Sequence, residues 1–156
     1  MAISSAEVTL QGQTYNLTYN SDTQEWLPPK TDWTATDYFN AVDYNRIIGN
    51  LAYLSAMANE LYETEIISLG QTKDYTSMIY AREINAIENA LEKINLETVN
   101  LDIGDKSTFV PNGRTPPWTE FNRIENACLL LNKVMIVHKK SLSRLAFKLG
   151  KRGVKF

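Results

Sequence analysis

The sequence has few of the residues on which catalytic and metal sites depend. Among 156 residues there is one histidine, His138, and one cysteine, Cys128. A single cysteine cannot form an intramolecular disulfide, and a single histidine excludes a histidine cluster around a metal. The phosphate-binding, dinucleotide-binding, HExxH and CxxC motifs are absent from the sequence. We therefore expect no enzyme activity, no cofactor and no metal site.

Long apolar runs and targeting signals are missing as well. No run approaches the roughly 20 apolar residues of a membrane span, and the N-terminus lacks a basic start followed by an apolar stretch. Apolar residues make up 44% of the chain and charged residues 22%, which is an ordinary globular balance. We expect one domain, no signal peptide and no membrane partner.

Acidic residues are missing from the end of the chain. Residues 1–137 contain 18 acidic and nine basic side chains, a net charge of −9, whereas residues 138–156 contain seven cations and no acid. This asymmetry predicts a basic tail that binds a negative partner. The alternatives are the basic end of an ordinary helix, contact with nucleic-acid phosphates, and contact with a membrane surface. The predicted binding residues are Lys139, Lys140, Arg144, Lys148, Lys151, Arg152 and Lys155.

The N-terminal segment, residues 1–29, predicts a small antiparallel β-hairpin or meander. Two stretches with alternating apolar residues, EVTL and TYNLTY, flank Gln11-Gly12, and a turn containing glycine between such stretches is a hairpin signal. Residues 24–27 supply a candidate third strand. So small a sheet is marginal alone, and we expect it to pack on another surface. Residues 98–110 are equally compatible with a loop and with two short strands.

Three amphipathic helices are predicted beyond residue 30. The first begins after Asn40, with Asp43 in the capping-box position, and its apolar stripe continues to about Leu69, ahead of Gly70. The second is predicted to begin near Asp74. Its stripe comprises Tyr80, Ile84, Ile87, Leu91 and Ile94.

The third helix is predicted to begin after Pro116-Pro117, with Thr115 or Thr119 as its cap, and to end at Gly150. Its stripe comprises Phe121, Ile124, Cys128, Leu131, Met135, His138, Leu142, Leu145 and Leu149. Because Cys128 and His138 lie on this stripe, we interpret them as packed rather than catalytic. Spacings of three and four predict a mainly α fold, a bundle of three long amphipathic helices. Residues 30–137 would form its body and residues 138–156 its basic end.

The helices share a short repeat of acid, apolar residue, asparagine, any residue and isoleucine, with an apolar residue four positions later. Its copies are Asp43–Leu51, Glu83–Leu91 and Glu120–Cys128, and their asparagines are Asn45, Asn85 and Asn122. The acid lies near each helix start, where it stabilises the helix dipole. An asparagine inside a helix has a lower propensity than alanine, so we expect at least two of the three to hydrogen-bond backbone or a neighbouring side chain.

These segments carry a resemblance. Residues 31–54, TDWTATDYFNAVDYNRIIGNLAYL, resemble a motif of virion structural proteins from phages of Gram-positive bacteria, in which an aromatic turn precedes a DYNRI-type helix. Residues 118–126, WTEFNRIEN, resemble a second form of it, and residues 12–26, GQTYNLTYNSDTQEW, are similar to β-repeats of the same proteins. The resemblance implies a tail, baseplate, fibre or neck component, made in the host cytoplasm and localised in the virion.

We therefore expect a non-enzymatic structural subunit that assembles with copies of itself and with other virion proteins. The apolar residues around 127–137 exceed what one short partner helix covers, which also predicts an oligomer. The alternative is a nucleic-acid-binding or packaging-associated virion protein that binds DNA through the basic tail. A third interpretation is a glycan-binding adhesin, since aromatic residues are dense between Tyr15 and Tyr62, although packing explains them more simply.

Overall fold

The computed structural model describes the backbone of residues 4–10, 13–19 and 25–152 and the side chains of residues 25–149. Within these residues lie three helices, α1 (Ala41–Tyr62), α2 (Ala81–Glu97) and α3 (Trp118–Arg152). The prediction of a mainly helical chain with three helices is confirmed.

Two strands, β1 (Ser4–Leu10) and β2 (Gln13–Tyr19), precede the helices and pair antiparallel. Their side chains lie outside the described residues, so the N-terminal β segment as a packed unit stays a prediction. The candidate third strand is wrong over residues 25–27, and the two short strands considered for residues 98–110 do not form. Instead, asparagine side chains on the helices accept hydrogen bonds from the backbone N–H groups of these segments, at Leu27, Leu101 and Phe109.

Helix α1 begins where the capping box predicts and ends earlier than expected. The side-chain oxygen of Asn40 accepts the backbone N–H of Asp43, and the Asp43 carboxylate accepts the N–H of Asn40. The helix ends at Tyr62 rather than just before Gly70, because Glu63 adopts a left-handed conformation with a φ of 57°. The chain turns back along α1 from this point.

Helix α2 begins at Ala81, later than the predicted start near Asp74. The Asp74 carboxylate instead closes a turn, where it accepts hydrogen bonds from the hydroxyls of Thr76 and Ser77. Tyr80 therefore precedes the helix and is 50% exposed, whereas the sequence placed it on the buried stripe.

Helix α3 begins at Trp118, directly after Pro116-Pro117 as predicted, and continues past the expected stop at Gly150 to Arg152. A single glycine costs a helix only about 1 kcal/mol relative to alanine, which a run of good helix formers offsets. At roughly 1.5 Å per residue, α3 is more than twice as long as α2.

The three helices run parallel, because each connector returns along the helix that it follows. After α1 the connector bonds first to Ser55 and then, nearer the helix start, to Asn45. After α2 the connector bonds first to Asn95 and then to Asn85. The three helix N-termini therefore lie at one end of the bundle.

The repeat asparagines hold these connectors by one two-bond contact, which we call the asparagine clamp. In each clamp the amide oxygen accepts a backbone N–H and the amide nitrogen donates to the carbonyl of the same residue. Asn45 clamps Lys73, Asn85 clamps Phe109 and Asn122 clamps Trp33, with distances of 2.7 to 3.0 Å. The expectation that at least two would be bonded is confirmed. Because Trp33 precedes α1, the third clamp connects α3 to the chain before the first helix.

One core runs between the helices and uses the predicted stripes. Its members include Tyr44, Ile47, Leu51, Leu54, Ile84, Ile87, Leu91, Ile94, Phe121, Ile124, Cys128, Leu131 and Met135. The stripe of α3 is buried only as far as Met135, and the later leucines are exposed. Within residues 127–137, Ala127, Cys128, Leu131 and Met135 are buried inside the chain, and the predicted oligomer stays a prediction. In that run Leu130 and Val137 are the large apolar side chains that stay exposed.

We predict that Asn122→Ala destabilises the chain by about 1–3 kcal/mol, because it leaves the N–H and carbonyl of Trp33 without their partner. Asn126→Ala is the matched control. It also removes an asparagine from α3, but an exposed one whose side chain bonds only to its own helix. Urea denaturation measures both changes, and equal effects would show that the clamp contributes nothing.

Candidate interaction surface on the third helix

Helix α3 extends beyond the other two helices. Near the end of α1, it contacts that helix through a 2.5 Å hydrogen bond between His138 Nδ1 and the Tyr62 hydroxyl, and through a 2.9 Å ion pair between Lys139 and Glu60. Every described side chain from residue 139 to residue 149 is exposed. We call residues 139–152 the projecting part of α3.

The structure spreads Lys139, Lys140, Arg144 and Lys148, the predicted binding cations with described side chains, along this projecting part. Lys139 pairs with Glu60, whereas Lys140, Arg144 and Lys148 have no carboxylate within ion-pair distance among the described residues. Lys151 and Arg152 belong to the last helical turn, and their side chains, like the whole of Lys155, lie outside the described residues.

Leucines on the projecting part continue the stripe of the core. Leu142, Leu145 and Leu149 are 40%, 55% and 62% exposed, so they do not dock on the body of their own chain. The nearby hydroxyls of Ser141 and Ser143 donate to carbonyls one turn earlier in the same helix, at 2.9 and 3.0 Å. This face therefore presents apolar side chains next to hydroxyls that already have partners.

Two buried carboxylates are features that sequence reasoning missed. Glu125, with a side chain only 1% exposed, accepts hydrogen bonds from the Lys30 N–H, the Trp33 indole and the Arg46 guanidinium. All of its acceptor positions serve packing between α1, α3 and the chain before α1. It is thus a structural anchor, not a group free to act on a substrate.

Glu88 is the second buried carboxylate, and it pairs with Arg123, which also contacts Glu120. Burial raises the pKa of Glu88 to about 7, and the Arg123 guanidinium opposes that rise. The pKa of Glu120 is lowered by Arg123. One guanidinium thus serves two carboxylates between α2 and α3.

The repeat contains a signal for these pairs. Glu88 and Glu125 each lie three residues after a repeat asparagine, and Arg46 and Arg123 each directly follow one. The glutamate of one helix reaches the arginine of the next, from α2 to α3 and from α3 to α1. In the remaining pair, from α1 to α2, the corresponding residues, Ile48 and Ala86, are apolar.

The remaining reactive side chains are also held in place. Cys128 is 1% exposed, and burial raises the pKa of its thiol to about 12, so it stays protonated at neutral pH. His138 is half-buried against Tyr62. Over the described residues, no three histidine, cysteine or carboxylate side chains cluster as metal ligands would. In that same part of the chain, no helix has the length and apolar character needed to cross a membrane.

A groove of about 680 Å³ lies at the end of the bundle where the helices begin. Its apolar lining includes Trp33 and Phe121, which are buried, while Tyr38, Tyr75 and Trp118 are 89%, 96% and 42% exposed. Packing explains most of the described aromatics, such as Tyr44 at 2% exposure. Tyr38 is an exception, and the groove is where the sequence's glycan interpretation would apply.

No family model, curated protein or solved structure matches the chain. The resemblance to phage virion proteins therefore rests on the sequence motifs alone.

We predict that Glu88 makes the chain less stable as pH rises from about 4.5 to about 7. The folded-state pKa lies above the ordinary value, so the folded state binds more protons across that window and loses stability as the proton leaves. Glu88→Gln should flatten this slope by on the order of 1–3 kcal/mol. Denaturant unfolding at a series of pH values measures it, with Glu65→Gln, an exposed substitution, as the control. Parallel pH profiles for wild type and Glu88→Gln would refute the assignment.

Proposed function

We propose that the chain is a non-enzymatic structural subunit of a phage virion, in its tail, neck, baseplate or fibre attachment. In this proposal it assembles with copies of itself and with other virion proteins through the projecting part of α3. The observation that carries the proposal is that α3 leaves the body with three exposed leucines and with cations that have no partner among the described residues. Exposed apolar surface on a helix is typical of a protein interface.

The construction of the body supports this role. Clamps and buried ion pairs fix the helices and connectors to one another, which gives the rigid body that a structural subunit needs. The buried carboxylates and the thiol are saturated or protonated, so they contribute rigidity rather than chemistry. The N-terminal β segment would dock on a neighbouring subunit.

A nucleic-acid-binding or packaging-associated role is the second candidate. It is favoured by Lys140, Arg144 and Lys148, which point to no acidic group in the described part of the chain. Phosphate contacts explain cations but not the leucine stripe on the same helix, because DNA backbones offer no apolar surface to it. Assembly therefore accounts for more of this helix.

We predict that the full chain is found in purified virions at several copies per particle, as quantitative mass spectrometry would show. A chain ending at Val137 keeps the buried stripe through Met135 and should still fold, as circular dichroism would show. It should incorporate poorly, because it lacks the projecting part. Normal incorporation would show that this part is dispensable, and absence of the full chain from virions would refute the proposal.

Assembly of the full chain should weaken as salt concentration rises, because salt screens exposed charges. Light scattering across a salt series measures this, and a variant with Lys148, Lys151 and Arg152 all replaced by glutamine should lose most of the dependence. If assembly ignores salt while binding to duplex DNA falls steeply with it, the nucleic-acid role replaces the structural one.

A further inference from the structure

We infer that the projecting part of α3 pairs with the same segment of a second copy, and that the two helices run antiparallel. The inference deepens the proposed function by naming the partner and the seam. It rests on the spacing of the stripe, the residues beside it and the charges at the end of the body.

The first observation is that the stripe does not change register where α3 leaves the body. Leu131, Met135, His138, Leu142, Leu145 and Leu149 alternate spacings of four and three without interruption. This is the heptad pattern of a coiled coil. Its first part packs on α1 in parallel, and its second part has the same spacing but exposed leucines, with no neighbouring helix among the described residues.

The residues beside the exposed leucines fit an identical face. In the heptad that places Leu142 at a and Leu145 at d, the positions beside the seam hold the small Ser141 and Ala146, together with Lys139 and Lys148, whose long stems can lie along an apolar edge. Lys140 and Arg144 fall on the outer positions, away from the seam. The seam itself is apolar and narrow, as pairing with a second α3 requires.

The projecting part is already helical when it meets its partner. A free helix this short would be marginal in water, because nucleation is costly. Here α3 is continuous with a buried helix that is fixed to α1 through His138 and Lys139. Two short heptads can therefore pair without first ordering the backbone.

Charge decides the orientation. A parallel pair would place the cations of both tails together, which is repulsive. The bundle end beside residue 139 carries four carboxylates, Glu60, Glu63, Glu65 and Glu97. Glu60 pairs with Lys139, and Glu65 and Glu97 share Lys93, so the acids there still outnumber the cations. Neither helix has a basic residue in its last turn to stabilise the negative end of its dipole.

An antiparallel pair brings the tail of each copy to that acidic end of the other. Its layers place Leu142 of one copy against Leu145 of the second, and Leu149 against His138. The last turn of α3, which contains Lys151 and Arg152, then comes level with the end of the second copy's α1. Salt would weaken this contact, as the proposed assembly requires.

Light scattering of the full chain at micromolar concentration tests whether the pair forms. We expect twice the monomer mass, with Leu145→Asp returning the mass to that of a monomer. Leu145 is 55% exposed within its own chain, so this variant keeps its helical circular dichroism. Arg144→Gln, next to it but off the seam, is the control and should stay dimeric. A monomeric wild type, or a dimer that Leu145→Asp leaves intact, overturns the inference.

Cysteine cross-linking tests the orientation, because the native Cys128 is buried and does not compete. A mixture of Leu142→Cys and Leu145→Cys chains should form the mixed disulfide dimer, whereas Leu149→Cys should not cross-link to itself. Efficient Leu149→Cys dimers would show a parallel pair and overturn the antiparallel seam. A monomer in these experiments leaves the virion role standing, and absence from virions leaves the pairing standing, so the two failures are distinguishable.

Discussion

The fold depends on how the backbone of the connectors is satisfied. The segments before α1, after α1 and after α2 lie along the helices as irregular chain, and neither helix nor sheet pairs their N–H and carbonyl groups. Buried backbone groups without partners are costly, so such segments need donors and acceptors from side chains. Asn45, Asn85 and Asn122 supply both at once, and Asn50 and Asn95 do the same for Leu27 and Leu101. An amide is the side chain best suited to this, since it carries one acceptor and two donors.

The buried ion pairs determine which helix contacts which. Buried ion pairs contribute little net stability, because desolvation offsets the attraction, but an unpaired buried charge is strongly unfavourable. The pairs of Glu88 with Arg123 and of Glu125 with Arg46 therefore penalise any other order of helices. Where the repeat has Ile48 and Ala86 instead, no buried ion pair joins α1 to α2 among the described residues, so the three helix–helix contacts differ from one another. The body becomes a single rigid arrangement from which α3 can project.

Local signals made much of the fold predictable from the sequence. The capping box at Asn40, the buried stripes and the bonded asparagines all depend on spacings along one helix. The end of α1 at Tyr62 was not predictable, because the stripe continues in sequence while the left-handed Glu63 and the bond from Ile67 to Ser55 turn the chain back. The neighbour of Leu142, Leu145 and Leu149 was not predictable for a similar reason. An apolar stripe indicates that a helix face packs against another surface, but it does not show whether that surface belongs to the same chain.

The central claim is that the asparagine clamps hold the body together, whereas the projecting part of α3 becomes protected only on assembly. Amide hydrogen exchange across a dilution series tests this claim most directly. The account predicts that the N–H groups of Trp33, Lys73 and Phe109 are protected at every concentration, because each donates to a clamp. It also predicts that the amides of residues 139–149 gain protection as concentration rises and copies assemble. The claim would be contradicted if the connector amides exchanged like those of an unstructured chain, or if the protection of residues 139–149 did not change with concentration.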